Sequence, residues 1–369
     1  MGIHFLFIIL IVVVILIVFY SGKGVPVLLY HQVYPSGSTT PAVLEQHFQY
    51  IAKKRFHTFT CTETLTRKKL PARALLITFD DGYYDNFLYV FPLLKKYNLK
   101  ATFFINTAYI PEHAFDRERL ILLNDVAVNN AAVQKMYKTG NGQSQYYMSW
   151  EEIKIMYESG LCDFQAHSHR HKCVFSSTEL KDIVQRKEFD TNQLHCYDGS
   201  PVIGYPMFKS RGELSVRKME IQNHFIQLFL KEYQTSFQFL PKKKMLKTAA
   251  EFIRKNSSSE TFQLETKEAF EERVRKELKQ NISEIESHLG NKVKFLAWPW
   301  GHHTNEGRVA CEKVGIEGFL TCRKKTNDQI LPMKRINRTE IRKPSLLKLK
   351  FLLLIQSNYF TGKLVGLFT

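Results

Sequence analysis

Hydrophobic positions along the chain fall into short unbroken runs, separated by longer stretches in which apolar residues recur every three or four places. VPVLLY (25–30), ALLITF (74–79), ATFFI (101–105), LCDFQA (161–166), VKFLAW (293–298) and GFLTC (318–322) are too short for helices and read as buried strands. Helix signals lie between them. Ser149 and Glu152 have the spacing of a capping box, with Gly160 where that helix should stop. Phe270, Val274, Leu278, Ile282, Ile285 and Leu289 make one apolar stripe, ended by Gly290. Strands alternating with helices predict parallel βα units, in an open sheet or a barrel. In both arrangements the chemistry gathers at the carboxyl ends of the strands.

Three stretches break this rhythm. Residues 5–20, FLFIILIVVVILIVFY, are apolar throughout. Extended by Ile3 and His4 they would make a helix of roughly 27 Å, enough for a bilayer core. No Lys or Arg precedes the run, Tyr20-Ser21-Gly22 is a poor cleavage site and no lipid-accepting Cys follows, so an uncleaved anchor over 1–22 is the reading, against a signal peptide. Charge near its ends is too sparse to orient it. Residues 188–265 are basic and aromatic, with three lysines at 242–244, and read as an insertion of helices and loops. The tail, 346–369, mixes LLKLKFLLLI with Lys348, Lys350 and Lys363, and reads as an amphipathic helix packed on the domain or lying in a membrane interface.

Composition narrows the classes. With 369 residues the chain can bury one large core or two to three smaller ones. Its net charge of +17 favours anionic surroundings such as lipid head groups, acidic polymers or nucleic acid. Six cysteines, none in a C-x-x-C pair, are too few for a disulfide scaffold.

Four strand ends carry candidate chemistry. Thr78-Phe79-Asp80-Asp81-Gly82 runs an apolar strand into two adjacent carboxylates, which repel one another unless one binds a cation and the other serves as a base. A solvated Asp-Gly turn is the plain alternative. His167-Ser168-His169-Arg170-His171 follows another strand, and histidines four apart can aim both imidazoles at one point. One carboxylate added to that pair makes an Asp-His-His set with open positions, suited to catalytic zinc; a surface loop that titrates near neutral pH is the bland account. Ala297-Trp298-Pro299-Trp300-Gly301 offers an aromatic wall for a sugar ring, or simple core plugs, and His302-His303 follow it. Tyr30-His31 ends the first strand.

The ordered set TFDDG, HSHRH and a P-x-G turn, with VLLYHQV, KATFFI and KFLAWPWG in support, resembles the polysaccharide deacetylases, also called carbohydrate esterase family four. The resemblance covers roughly 25–187 and 266–336. It implies a distorted (β/α) barrel, so the expected organisation is an anchor at 1–22, barrel parts at 23–187 and 266–345, an insertion at 188–265 and the tail. It further implies a divalent metal, commonly zinc, held by Asp81, His167 and His171, with Asp80 as general base. Pro299 and Trp300 would line the acetyl groove and give a backbone N–H to the oxyanion. His169 and Arg170 stand at variable positions and inherit no role.

Two departures stand out. Many relatives carry an arginine two residues before the motif proline to orient the base, and here that position is Ala297. Many also use a late L-x-H histidine as acid, and no histidine follows His303. His31 is the candidate acid, because the anchored poly-N-acetylglucosamine deacetylases show a similar Y-H, with His302 and His303 behind it. The expectation is an extracytoplasmic, membrane-anchored N-deacetylase of an acetylated polysaccharide, touching lipid through its N-terminal helix and no nucleic acid. An O-acetyl esterase or a degenerate glycan-binding barrel are the alternatives.

Overall fold

The computed structural model describes residues 23–118, 145–185, 196, 202–341 and 344–366. Strands run as β1 (Val27–Tyr30), β2 (His57–Phe59), β3 (Ala74–Asp81), β4 (Ala101–Ile105), β5 (Cys162–Ala166), β6 (Cys173–Ile183), β7 (Pro206–Gly212), β8 (Met219–Ile221), β9 (Phe262–Leu264), β10 (Phe295–Ala297), β11 (Gly318–Thr321), β12 (Arg335–Asn337) and β13 (Thr339–Glu340). Each of the six apolar runs contains a strand.

One wholly parallel sheet has the order β12-β11-β10-β5-β4-β3-β1-β13, with β2 also beside β3. Its two end strands are separated only by Arg338. A single extended segment therefore pairs with β11 through Phe319 and Arg335, and with β1 through Leu28 and Thr339. That closes the sheet into the barrel expected from the family resemblance. Alternation along the strands then gives two apolar layers. Leu76, Phe104, Phe295, Leu320 and Ile336 fill the inside. Leu28, Ile77, Phe103, Phe164 and Leu296 face outward to the helices, where each large side chain taken from water contributes roughly 1.5–3 kcal/mol. The long stripe is the helix Lys267–Leu289, burying Phe270, Val274, Leu278 and Ile285, and Gly290 ends it in the left-handed region at φ 67°. Helix Trp150–Glu158 begins with the capping box: Ser149 Oγ accepts from Glu152 N–H at 3.2 Å and Glu152 Oε2 from Ser149 N–H at 2.8 Å.

Between β5 and the long helix the chain leaves the barrel. Here β6 pairs antiparallel with β7 and β8 with β9, and helices Asn223–Thr235 and Lys242–Asn256 pack over them. This excursion encloses a second core of Phe208, Phe225, Phe229, Phe237 and Phe262, with edge-to-face ring contacts such as Phe225 with Phe262 at 4.7 Å.

The tail forms helices Leu346–Gln356 and Tyr359–Val365. Leu349 and Leu353 pack inward, whereas Leu347, Phe351 and Leu354 are 76%, 65% and 75% exposed. The first described residues meet this tail: Lys23 bridges Asn358, and Gly24 N–H donates to the Ser357 carbonyl at 3.0 Å. The anchor expected at 1–22 lies outside the described residues, among which no helix is long and apolar enough to cross a membrane.

Candidate metal centre and active site

In a regular strand Asp80 and Asp81 would point to opposite faces. Asp80 does point into the barrel, following Leu76 and Thr78. Asp81 leaves the strand conformation with φ 79°, and Gly82 follows at φ 86°. This turn swings the Asp81 carboxylate to the mouth, where Oδ1 lies 3.3 Å from His167 Nε2 and 3.6 Å from His171 Nε2. Ligand atoms of Asp81, His167 and His171 all fall within 4.8 Å of one another.

The histidine segment is a tight loop, not a helical turn: Ser168 and His171 sit at φ 70° and 53°. Ser168 Oγ accepts the His171 N–H at 2.9 Å, and the two imidazole centroids are 4.9 Å apart. His167 Nδ1 lies 2.9 Å from the Ala297 carbonyl and donates to it, which leaves Nε2 facing Asp81 and His171, a donor to Asp81 when protonated and a lone pair for a cation otherwise. The donor set suits a divalent cation: one carboxylate, two imidazoles, a fixed tautomer and room for further ligands. Burial would push the Asp81 carboxyl up, but the hydrogen bond from His167 and the fields of His171 and His31 outweigh it and hold the group well below the usual carboxylate range. For His167, burial works against the charged form, yet Asp80 and Asp81 lift it above the ordinary value.

The residues between the ligands have work of their own. Arg170 N–H and Nε donate to Glu277 at 2.6 and 2.9 Å, its carbonyl accepts from Tyr109 at 2.7 Å, and His169 Nδ1 meets Thr107 Oγ1 at 2.8 Å. From the strand side, Asn106 Nδ2 donates to the His167 and Ser168 carbonyls. The loop is thus clamped to the long helix and to the end of β4.

Arg338 is the functional residue that reading the sequence missed. It is fully buried, and its Nη1 and Nη2 reach Asp80 Oδ1 and Oδ2 at 2.6 and 2.8 Å, a bidentate pair. The arginine lacking at position 297 therefore has a counterpart arriving from the opposite strand of the closure. Its only signal in the sequence is its place two residues after Ile336, on the same inward face.

His31 lies at the end of β1 and lines, with Asp81, Tyr83 and Glu340, a cavity of about 500 Å³ at the mouth. Asn86 holds the His31 carbonyl at 3.0 Å. Tyr83, beside Asp81, was not foreseen either; burial and the Asp81 charge push its phenol well above its ordinary range. Pro299 and Trp300 form a one-turn bend with Trp300 at φ 62°, its ring 4.9 Å from that of His171. His302 and His303 are committed elsewhere: His302 Nδ1 accepts the Gly212 N–H at 3.1 Å, and His303 Nδ1 lies 3.1 Å from the Gly301 carbonyl.

A barrel with an Asp-His-His cluster at its carboxyl rim and a neighbouring arginine-paired aspartate has the donors for a divalent cation beside an oriented carboxylate. Residues 67–197 match the family model for polysaccharide deacetylase, the family that the motifs resemble. The deacetylase domain of BpsB from Bordetella bronchiseptica superposes with a TM-score of 0.53 at 18% identity, over 86% of this chain and 96% of that one. A de-N-acetylase from Aggregatibacter actinomycetemcomitans gives 0.55 at 14%, over 88% and 97%. These likenesses support the fold. In sequence, YxkH of Bacillus subtilis, which bears a polysaccharide deacetylase name, is 38% identical over 22% of this chain and 31% of its own length. The poly-beta-1,6-N-acetyl-D-glucosamine N-deacetylase of Staphylococcus aureus is 28% identical over 36% of this chain and 37% of its own. The matched part thus spans about a third of these curated relatives.

Proposed function

We propose that the protein is a metal-dependent polysaccharide N-deacetylase. The observation that carries this reading is the convergence of Asp81, His167 and His171 within 4.8 Å, beside an Asp80 whose carboxylate is oriented by Arg338. Asp81, His167 and His171 would hold a divalent cation, zinc by the nature of the donors, and its chemistry is to polarise the acetyl carbonyl and acidify an attacking water. Asp80 takes the proton from that water, with Arg338 keeping both carboxylate oxygens aimed along the strand. Pro299 and Trp300 wall the acetyl group, and a backbone N–H of that turn faces the developing oxyanion. His31 hands a proton to the leaving amine from the other side of the cavity. His302 and His303 are not assigned this step: Nδ1 of each is engaged, by the Gly212 N–H and the Gly301 carbonyl, and neither lines the cavity that His31 shares with Asp81.

The substrate in this reading is an N-acetylated cell-surface glycan, by analogy with the Staphylococcus aureus relative. That substrate requires the barrel to lie outside the cytoplasm. An anchor at 1–22 would join the domain at Lys23, which meets the tail at Asn358, and the same tail turns Leu347, Phe351 and Leu354 outward as apolar surface for the bilayer. The excursion from β6 to β9 contributes to the groove through Gly212, whose neighbours are Pro299 and Trp300.

The test is acetate release from N-acetylglucosamine oligomers by the full chain, with and without chelator. Activity should vanish with chelator and in His167→Ala, and fall at least 10³-fold in Asp80→Asn, in the range expected for losing a general base with its field. Release that survives both substitutions, or preference for O-acetylated oligomers, would overturn the reading.

A further inference from the structure

The connection from β11 to β12 differs from the other crossovers that flank it. Residues 322–334 contain no helix, whereas helix Asn305–Glu312 covers the sheet after β10. The uncovered side of β11 and β12 and that helix bound a cavity of about 400 Å³. Three arginines from three separate segments line it: Arg308 on the helix, Arg323 after β11 and Arg335 at the start of β12. No carboxylate is among the described residues that line it. Arg308 is held by Glu312 and by Asn305 Oδ1, the latter at 2.8 Å. Arg323 and Arg335, both exposed, form no ion pair among the described residues. With Arg308 paired to Glu312, the guanidiniums of Arg323 and Arg335 are two like charges at one cavity, and they repel one another unless an anion lies between them.

We propose that this cavity binds a phosphate group carried by the polysaccharide. Two guanidinium forks from separate segments suit a tetrahedral oxyanion better than a single planar carboxylate, which one fork already satisfies. Asn305, Thr321 and Asn337 supply amide and hydroxyl partners for sugar hydroxyls around it. Two residue pairs tie the cavity to the candidate metal centre. Trp298 in its wall follows Ala297, whose carbonyl fixes His167. Asn337 precedes Arg338, which pairs with Asp80. The cavity therefore lies against the strands that supply the Ala297 carbonyl and Arg338 to the metal cluster, and a polymer crossing the rim would reach both. The overall charge fits as well: at +17 the chain repels a polymer that gains ammonium groups as it is deacetylated, and attracts one that carries phosphate. Naming the carrier as the glycan rests on the deacetylase reading; the anion site itself does not.

Calorimetric titration of the full chain with N-acetylglucosamine 1-phosphate, inorganic phosphate and N-acetylglucosamine separates the possibilities at low salt. The sugar phosphate should bind at least tenfold more tightly than the neutral sugar, and Arg323→Gln with Arg335→Gln should remove about that factor. Acetate release from a neutral oligomer should keep its kcat in the double variant, since neither arginine touches the metal centre. Equal affinity for sugar phosphate and neutral sugar, or an unchanged double variant, would overturn the site. Inorganic phosphate binding as tightly as the sugar phosphate would overturn the glycan as its carrier. Phosphate binding that persists in a chain with no deacetylase activity would sink the deacetylase reading and leave the anion site standing.

Discussion

Two halves of the barrel build the site by different means. The half made of β3, β4 and β5 has strands of 8, 5 and 5 residues that are buried almost throughout, and its metal-ligand candidates stand on or just after the strand ends in recognisable strings. The half made of β11, β12, β13 and β1 has shorter strands, and its closing segment, from Arg335 to Glu340, is partly polar, carries two arginines and matches no motif. Yet it closes the sheet, and it delivers Arg338, a buried cation that answers the buried carboxylate of Asp80. The difference teaches that the reactive groups and the charge that orients them need not share a motif. Packing brings them together only once the ring has closed.

The most forceful way to break this comparison is Arg338→Met. Removing one partner of a buried pair strands the other, a loss of about 3–5 kcal/mol. The expected outcome is a much lower denaturant midpoint together with loss of acetate release. Adding Asp80→Asn should restore most of the stability and none of the activity, because two neutral groups no longer leave a charge unpaired. A single variant as stable and as active as the wild type would show that the closing half is scaffold alone.

The sequence carried the β3 to β5 half almost completely. Its apolar runs, the capping box at Ser149 and the stripe from Phe270 to Leu289 each obey one local rule, and local rules survive without knowledge of neighbours. The strings that bring Asp81, His167 and His171 together were legible through the family resemblance, although the left-handed turn that carries the Asp81 carboxylate to the mouth was not. The closing segment was illegible because its pairing is split between two strands distant in sequence. Arg335, Ile336, Asn337 and Arg338 give only a two-residue alternation, too brief to mark a strand. The ribbons of the excursion were hidden similarly: β6 runs CVFSSTELKDI with register shifts after Phe175 and Leu180, so no clean period survives.

Acid sensitivity sharpens the comparison on the β1 side of the closure. His47 on helix Pro41–Lys53 is buried against the Tyr30 hydroxyl, at 2.9 Å, and burial lowers its pKa to about 4. A depressed folded-state value means that the unfolded chain takes up a proton between about pH 6.5 and 4 while the folded chain does not. Stability is therefore fully present above pH 6.5 and falls by roughly 3 kcal/mol as the pH drops to 4. His47→Gln should flatten that acid limb in urea melts taken across the range. An equally steep limb in the variant would assign it to other groups.

A smaller effect probes the other half, where the ligand loop is held from outside. Glu277 accepts both the N–H and the Nε of Arg170, one residue before the His171 ligand. Glu277→Gln keeps the shape and one acceptor oxygen but removes the charge that strengthens both bonds, at a cost of about 1 kcal/mol. The loop then holds His171 less firmly. Metal affinity, measured by competition with a chelator, should weaken by roughly tenfold, as expected for the loss of a group that orients a ligand. Bulk stability should scarcely change, unlike Arg338→Met. If affinity is untouched while the melting curve shifts, then the clamp serves the helix packing and the loop geometry is set from the strand side, by Asn106 and the Ala297 carbonyl.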